Sequence, residues 1–187
     1  IYAMWLRDST NQVLPYIPYA ASEEKLDDMI QGLISRQAKS ILIDSFANAY
    51  NPNSSGEGDS DAHQDDIRKP PMQPAVFEGK YEIDSIAAFL KLSHYYFTFT
   101  NNPTFATKSS NWIDAAERVV DTMSIMQHIG QDAAGDTQPY SFQRETTVAT
   151  DTLEMTGLGP AGHQGIGLSR SLFRPSDDAV SLPYNVP

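Results

Sequence analysis

At 187 residues the chain is long enough to bury one sizeable core, although 40 % hydrophobic content is slightly low for a compact globule. A net charge of −11 argues against nucleic acid as a partner, because phosphate binding needs a basic face, and it disfavours a membrane surface for the same reason. There is no cysteine, which removes disulfides and thiol chemistry from this stretch, and no segment approaches the ~18–20 apolar residues of a transmembrane helix.

In chain order, Trp5-Leu6-Arg7-Asp8-Ser9 comes first, an aromatic, a cation and a carboxylate in front of Ser9, a residue suited to cap a helix. Pro15 and Pro18 limit any helix that follows to a few turns. The next segment, 22–43, is the clearest amphipathic helix, with Ser22 as its expected cap and Glu23 and Glu24 in its first turn. Leu26, Met29, Ile30, Leu33, Ile34, Gln37 and Ile41 recur at helical spacing, and Lys25, Asp27, Asp28 and Arg36 are expected to face water. Residues 51–74 read as a long loop. It holds an N-glycosylation acceptor pattern at Asn53-Ser54-Ser55 and an acidic run from Asp59 to Asp66 that lacks the glycine and distal glutamate of a calcium loop.

Lys80-Tyr81-Glu82-Ile83-Asp84-Ser85 repeats the aromatic–cation–carboxylate build and opens a second helix, 80–100. Its apolar residues fall on two faces, so it is expected to be more buried than a surface helix. Asn101-Asn102-Pro103 ends it, and a third helix spans 111–128 with Trp112, Ala115, Val119 and Met123 on one side. Residues 131–172 are mostly irregular, with room for one or two short strands in 140–150. Gly157–Gly162 matches G-x-G-x-x-G without the strand-to-helix setting of a dinucleotide site. The four histidines show no metal-ligand spacing. Phe173-Arg174-Pro175-Ser176-Asp177-Asp178-Ala179 is the third motif, with Pro175 and Ser176 suited to a helix start.

This chemistry admits two readings at each place. Asp177 and Asp178 provide a carboxyl that can be held protonated as a general acid, or an acidic first turn that stabilises a helix. Arg7, Asp8, Glu82, Asp84 and Arg174 suit the hydroxyls of a polar ligand, or serve as ion pairs at helix starts. Trp5, Tyr81 and Phe173 suit the C–H face of a sugar ring, or pack in the core.

The three motifs, in this order and spacing, resemble glycoside hydrolase family 125, most closely its fungal branch. The resemblance implies an all-α fold, an (α/α)6 barrel whose site is lined by loops that begin helices. It implies an exo-acting α-1,6-mannosidase that inverts anomeric configuration, with a mannose-containing glycan as its partner; the residues themselves suggest no metal site and no cofactor. By the same resemblance Asp177, or else Asp178, is the general acid. The other aspartate, with Arg7, Asp8, Glu82, Asp84 and Arg174, binds the terminal mannose, and Trp5 and Tyr81 are expected as further substrate contacts. The family's catalytic base is a later glutamate with no match here. Residues 1–187 are therefore expected to be part of one catalytic domain whose C-terminal part is absent, and to be inactive alone. A secretory or extracellular location fits the glycan and Asn53. The competing expectations are a non-catalytic glycan-binding helical domain and a purely structural helical protein in which Arg7, Glu82, Asp177 and Asp178 point apart.

Overall fold

The computed structural model describes residues 2–52, 67–102, 104–108, 111–127, 139–144, 153–155, 168–171 and 184–186. Helices carry the core. Strand β1 (Met4–Trp5) runs directly into α1 (Leu6–Val13), which continues as a 3-10 turn over Leu14–Tyr19. Helix α2 spans Glu24–Ile43, α3 spans Ile83–Thr100, α4 spans Thr104–Lys108 and α5 spans Trp112–Ile125. Between and after them lie β2 (Ala49–Tyr50), β3 (Ile67–Lys69), β4 (Val76–Glu78), β5 (Ser141–Arg144), β6 (Leu153–Met155), β7 (Ser169–Ser171) and β8 (Tyr184–Val186). These strands form three small antiparallel sheets in the orders β1-β2-β4, β3-β5-β6 and β7-β8. The chain is mostly helical, as expected, but not all-α: β2, β4 and β5 add Tyr50, Val76 and Phe142 to the core. The strands fasten the connections between helices, and β5 falls where short strands were expected.

Helix α3 is the central element. Ile83, Ile86, Ala88, Phe89, Leu92 and Tyr96 are buried along it, and α1, α2, α5 and the 3-10 turn all pack on it. Each fully buried Ile, Leu or Phe contributes roughly 1.5–3 kcal/mol, so α3 supplies much of the adhesive surface. Its two apolar faces are used as the sequence suggested, and it stops at Asn101, which takes the left-handed conformation (φ 50°) before Asn102 and Pro103. Tyr96, Phe97, Phe105, Trp112 and Phe89 make a chain of ring contacts joining α3, α4 and α5. Trp112 Nε1–H donates to Ser93 Oγ at 2.9 Å.

The helix starts differ from the expectation. Ser9 does not cap α1: the helix begins at Leu6, and the Ser9 hydroxyl turns back to the carbonyls of Trp5 (2.6 Å) and Leu6 (3.2 Å). The Leu6 N–H, an orphan of the first turn, instead meets the Asn48 carbonyl at 3.1 Å. Ser22 does not cap α2 either. It donates to the Tyr19 carbonyl at 3.1 Å, and the helix starts at Glu24. Asp27, expected in water, is half-buried and accepts from Tyr96 Oη (2.7 Å) and Gln31 Nε2 (2.6 Å).

Arg68 ties the connection before β4 to the end of α2. Its guanidinium is fully buried and bonds the Asp44 carboxylate, and it reaches the carbonyls of Pro70 (2.8 Å), Phe46 (3.1 Å) and Pro71 (3.4 Å). Asp44 in turn accepts the Phe46 N–H at 3.0 Å. Gly79 passes close to this pin: a methyl there would overlap Met72 Sδ and sit 3.0 Å from Arg68 Cδ. Arg68→Ala strands a buried carboxylate, and chemical denaturation is expected to show a loss of about 3–5 kcal/mol. A loss below about 1 kcal/mol would mean that Asp44 finds another partner or water.

Candidate functional site

Two of the three sequence motifs converge. Arg7 lies in the first turn of α1, Glu82 is the N-cap residue of α3 and Asp84 sits in the first turn of α3. Arg7 Nη1 donates to Glu82 Oε2 at 3.1 Å and to Asp84 Oδ2 at 3.3 Å, across 75 and 77 positions of sequence. Its other terminal nitrogen faces Asp8 at 3.8 Å. Their exposure is graded: the side chains of Glu82, Arg7, Asp84 and Asp8 are 3 %, 19 %, 30 % and 50 % exposed. The result is a surface-breaking cluster with one cation against three carboxyls, its anchor buried and its outer members reachable from solvent. Among the described residues, Asp84 Oδ1 has no hydrogen-bond donor.

Burial decides the state of Glu82. It pushes the carboxyl from the ordinary 4.5 up to about 7, outweighing the Ser85 hydroxyl and the Arg7 guanidinium, which favour the anion. The Ser85 hydroxyl donates to the same Oε2 at 2.7 Å. Desolvation also opposes the charge on Arg7, but the carboxylates of Glu82 and Asp84 more than offset it and raise its pKa. Near neutrality the cluster therefore sits between two charge states, with Arg7 cationic in both.

The aromatics separate. Trp5 is half-buried and meets Phe77 edge-on, with ring centroids 5.2 Å apart. Tyr81, expected as a platform for a sugar, is instead fully buried against Phe46 and Tyr140, because the chain before α3 runs inside the molecule. The Tyr140 hydroxyl donates to the Gly79 carbonyl (2.7 Å) and accepts the Tyr81 N–H (3.1 Å), which fixes the approach to Glu82. Arg174, Asp177 and Asp178, with Phe173, the Asn53 pattern and the 59–66 acidic run, lie outside the described residues.

Sequence reasoning missed the supports. Glu78 is buried, with Asn48 Nδ2 at 2.8 Å and Lys80 Nζ at 3.2 Å, and it adds to the upward pressure on Glu82. Gln37 of α2 is fully buried and reaches α1, bonding the Leu6 carbonyl, Ser9 Oγ and Thr10 Oγ1 at 3.2, 2.9 and 3.0 Å. Its place among the apolar residues of the α2 stripe was the available signal.

An Arg–carboxylate cluster at helix starts suits a polar ligand or a structural ion-pair network equally well, and likeness to known proteins supplies the family. The family model described as metal-independent alpha-mannosidase, GH125, matches residues 1–187. The meiotically up-regulated gene 157 protein of Schizosaccharomyces pombe is 38 % identical over all of this chain and 37 % of its own length. A metal-independent alpha-mannosidase structure from Streptococcus pneumoniae, a non-productive substrate complex with α-1,6-mannobiose, superposes with a TM-score of 0.80 at 30 % identity. It is matched over 98 % of this chain and 40 % of its own. The chain belongs to glycoside hydrolase family 125, and it spans about two fifths of these relatives' length.

The shift at Glu82 fixes a sign. Between pH 4.5 and about 7 the native carboxyl holds a proton that the unfolded chain releases, so its contribution to stability is full below pH 4.5 and is lost as pH rises through 7. Glu82→Gln removes this component. Between pH 5 and 8, denaturation curves of the native protein are expected to lose up to roughly 3 kcal/mol relative to those of the variant. Parallel pH profiles for the two would place the Glu82 carboxyl in the ordinary range.

Proposed function

We propose that this chain is part of an inverting exo-α-1,6-mannosidase that removes terminal mannose from a glycan. The observation that carries the reading is the Arg7–Glu82–Asp84 cluster. It is built from two of the three family motifs and set at the starts of neighbouring helices. Membership of a metal-independent α-mannosidase family and likeness to a structure holding α-1,6-mannobiose support the substrate class. In this reading the described helices are one part of an (α/α)6 barrel, residues 1–187 belong to a single catalytic domain, and the motif-bearing helix starts line its mouth.

The roles divide by chemistry. Asp8, exposed, and Asp84, half-buried, accept from mannose hydroxyls, while Arg7 donates and holds their geometry. Trp5 offers an apolar ring beside them. Glu82, at 3 % exposure, acts mainly by anchoring Arg7. Asp177 protonates the leaving oxygen, with Asp178 as the other candidate and Arg174 as a further sugar contact. Inversion needs a second carboxylate ~6.5–9.5 Å from the acid to activate water, and we assign it to the part of the relatives' length that this chain does not span. The glycan substrate favours a secretory or extracellular setting.

The test is hydrolysis of α-1,6-mannobiose by the full-length protein, with the product anomer followed by NMR. Release of β-mannose, abolished in Asp177→Asn or in Asp178→Asn, is the expected result. Release of α-mannose would refute inversion, and no release from folded protein would favour a glycan-binding domain without turnover. Arg7→Ala is expected to lower kcat/KM by about a hundredfold or more, since it unties both carboxylates. The 187-residue chain alone is expected to release nothing.

A further inference from the structure

We infer that Gln37 is the positioning residue of the Arg7–Glu82–Asp84 cluster, setting the register of α1 against α3 through a buried amide. This deepens the reading above and rests on it.

The geometry is a three-helix clamp. The Gln37 amide nitrogen, rising from α2, reaches the Leu6 carbonyl, Ser9 Oγ and Thr10 Oγ1. These residues bracket Arg7 on both sides in sequence. Thr10 passes the connection on, its hydroxyl donating to the Ala88 carbonyl of α3 at 3.3 Å. Ala88 is on the same helix as Asp84 and six residues beyond Glu82, so one amide links the turn carrying the cation to the helix carrying its carboxylates. The link is internal: Gln37, Leu6 and Thr10 are all fully buried.

Two features argue that the amide does more than fill space. Gln37 stands between Ile34, Ala38 and Ile41 on the buried stripe of α2, where an apolar side chain of similar length would pack without loss. Among the described residues its own carbonyl, Oε1, meets no donor, so the position tolerates an unpaired buried acceptor to keep the donor where it is. Helix α1 also has little hold on its own register. It is eight residues long and built of Leu-Arg-Asp-Ser-Thr-Asn-Gln-Val, mostly weak helix formers. Sliding or turning α1 by a fraction of a residue would move Arg7 Nη1 out of reach of one of its two acceptors.

The experiment is Gln37→Leu in the full-length protein, with Gln37→Met as the second variant. Both keep the volume and remove the donor. Thermal midpoints are expected to stay near the native value while KM for the α-1,6-mannoside rises at least tenfold and kcat changes much less. The kcat/KM pH profile is expected to shift upward on the limb set by Glu82, because a displaced Arg7 no longer favours its anion. Packing alone would move none of these kinetic readings. A crystal structure of the folded variant is expected to show the contact between Arg7 Nη1 and Glu82 Oε2 lengthened or broken. Variants with native KM, native pH profile and that contact intact would overturn the assignment, as would failure of both to fold, which would make the amide a folding determinant. If the native protein hydrolyses no mannoside, the function proposed above fails, and the crystallographic contact still decides the role of Gln37.

Discussion

The cluster depends on a carboxyl buried at the beginning of a helix. Glu82 occupies the N-cap position of α3, yet its side chain makes no capping bond to the backbone. Oε2 is given instead to Arg7 and to the Ser85 hydroxyl. The positive end of the α3 dipole and one guanidinium thus stand against Glu82 and Asp84, with Asp8 at the edge. Burial taxes the anion more than these partners relieve it, so the charge is carried with difficulty near neutrality. Such a site holds Arg7 firmly without quenching it. When Glu82 takes up a proton, the guanidinium turns its attraction on Asp84 and Asp8.

A second constraint keeps the geometry from drifting. Helix α1 cannot persist on propensity, and its placement is imposed from outside at several points. The Leu6 side chain is buried, the Leu6 N–H is taken by Asn48, Gln37 holds the first turn and Thr10 ties to α3. Asn48 also binds Glu78, so the small sheet of β1, β2 and β4 is joined to the same end of the molecule. Arg68 and Asp44 fasten the far side of that connection at the end of α2. The structure thus spends buried polar contacts, which contribute modestly to stability, where one side chain has to be aimed.

Periodicity made α2, α3 and α5 legible, because each buries a stripe whose spacing is local information. Their starts were less so. Ser9 and Ser22 have the right chemistry for caps, but what begins α1 is a carbonyl 42 positions away and the burial of Leu6. The same distance problem hid the supports. Tyr81 has the composition of a sugar platform, and only the arrival of Phe46 and Tyr140 buries it. Asp27 has the look of a surface acid until Tyr96 arrives from α3. The grouping of Arg7 with Glu82 and Asp84 was suggested by motif likeness and not by any periodicity, since the pairs lie 75 and 77 residues apart.

Proton transfer and ligand grip place opposite demands on a carboxyl, and Glu82 meets those of grip. A general acid has to aim a protonated oxygen at the leaving group and then recover its proton from solvent. Glu82 is almost wholly enclosed, and Oε2 is committed to two donors. A pKa near the working pH marks functional carboxyls in general, but here its cause is enclosure beside a structural cation. The exposed members of the cluster carry the reverse character. Asp8 is half exposed and Asp84 reaches solvent in part, while the Asp84 oxygen that has no donor among the described residues, Oδ1, is itself buried. The division therefore runs from an inner carboxyl that fixes the cation to outer carboxylates that a polyhydroxylated ligand can engage.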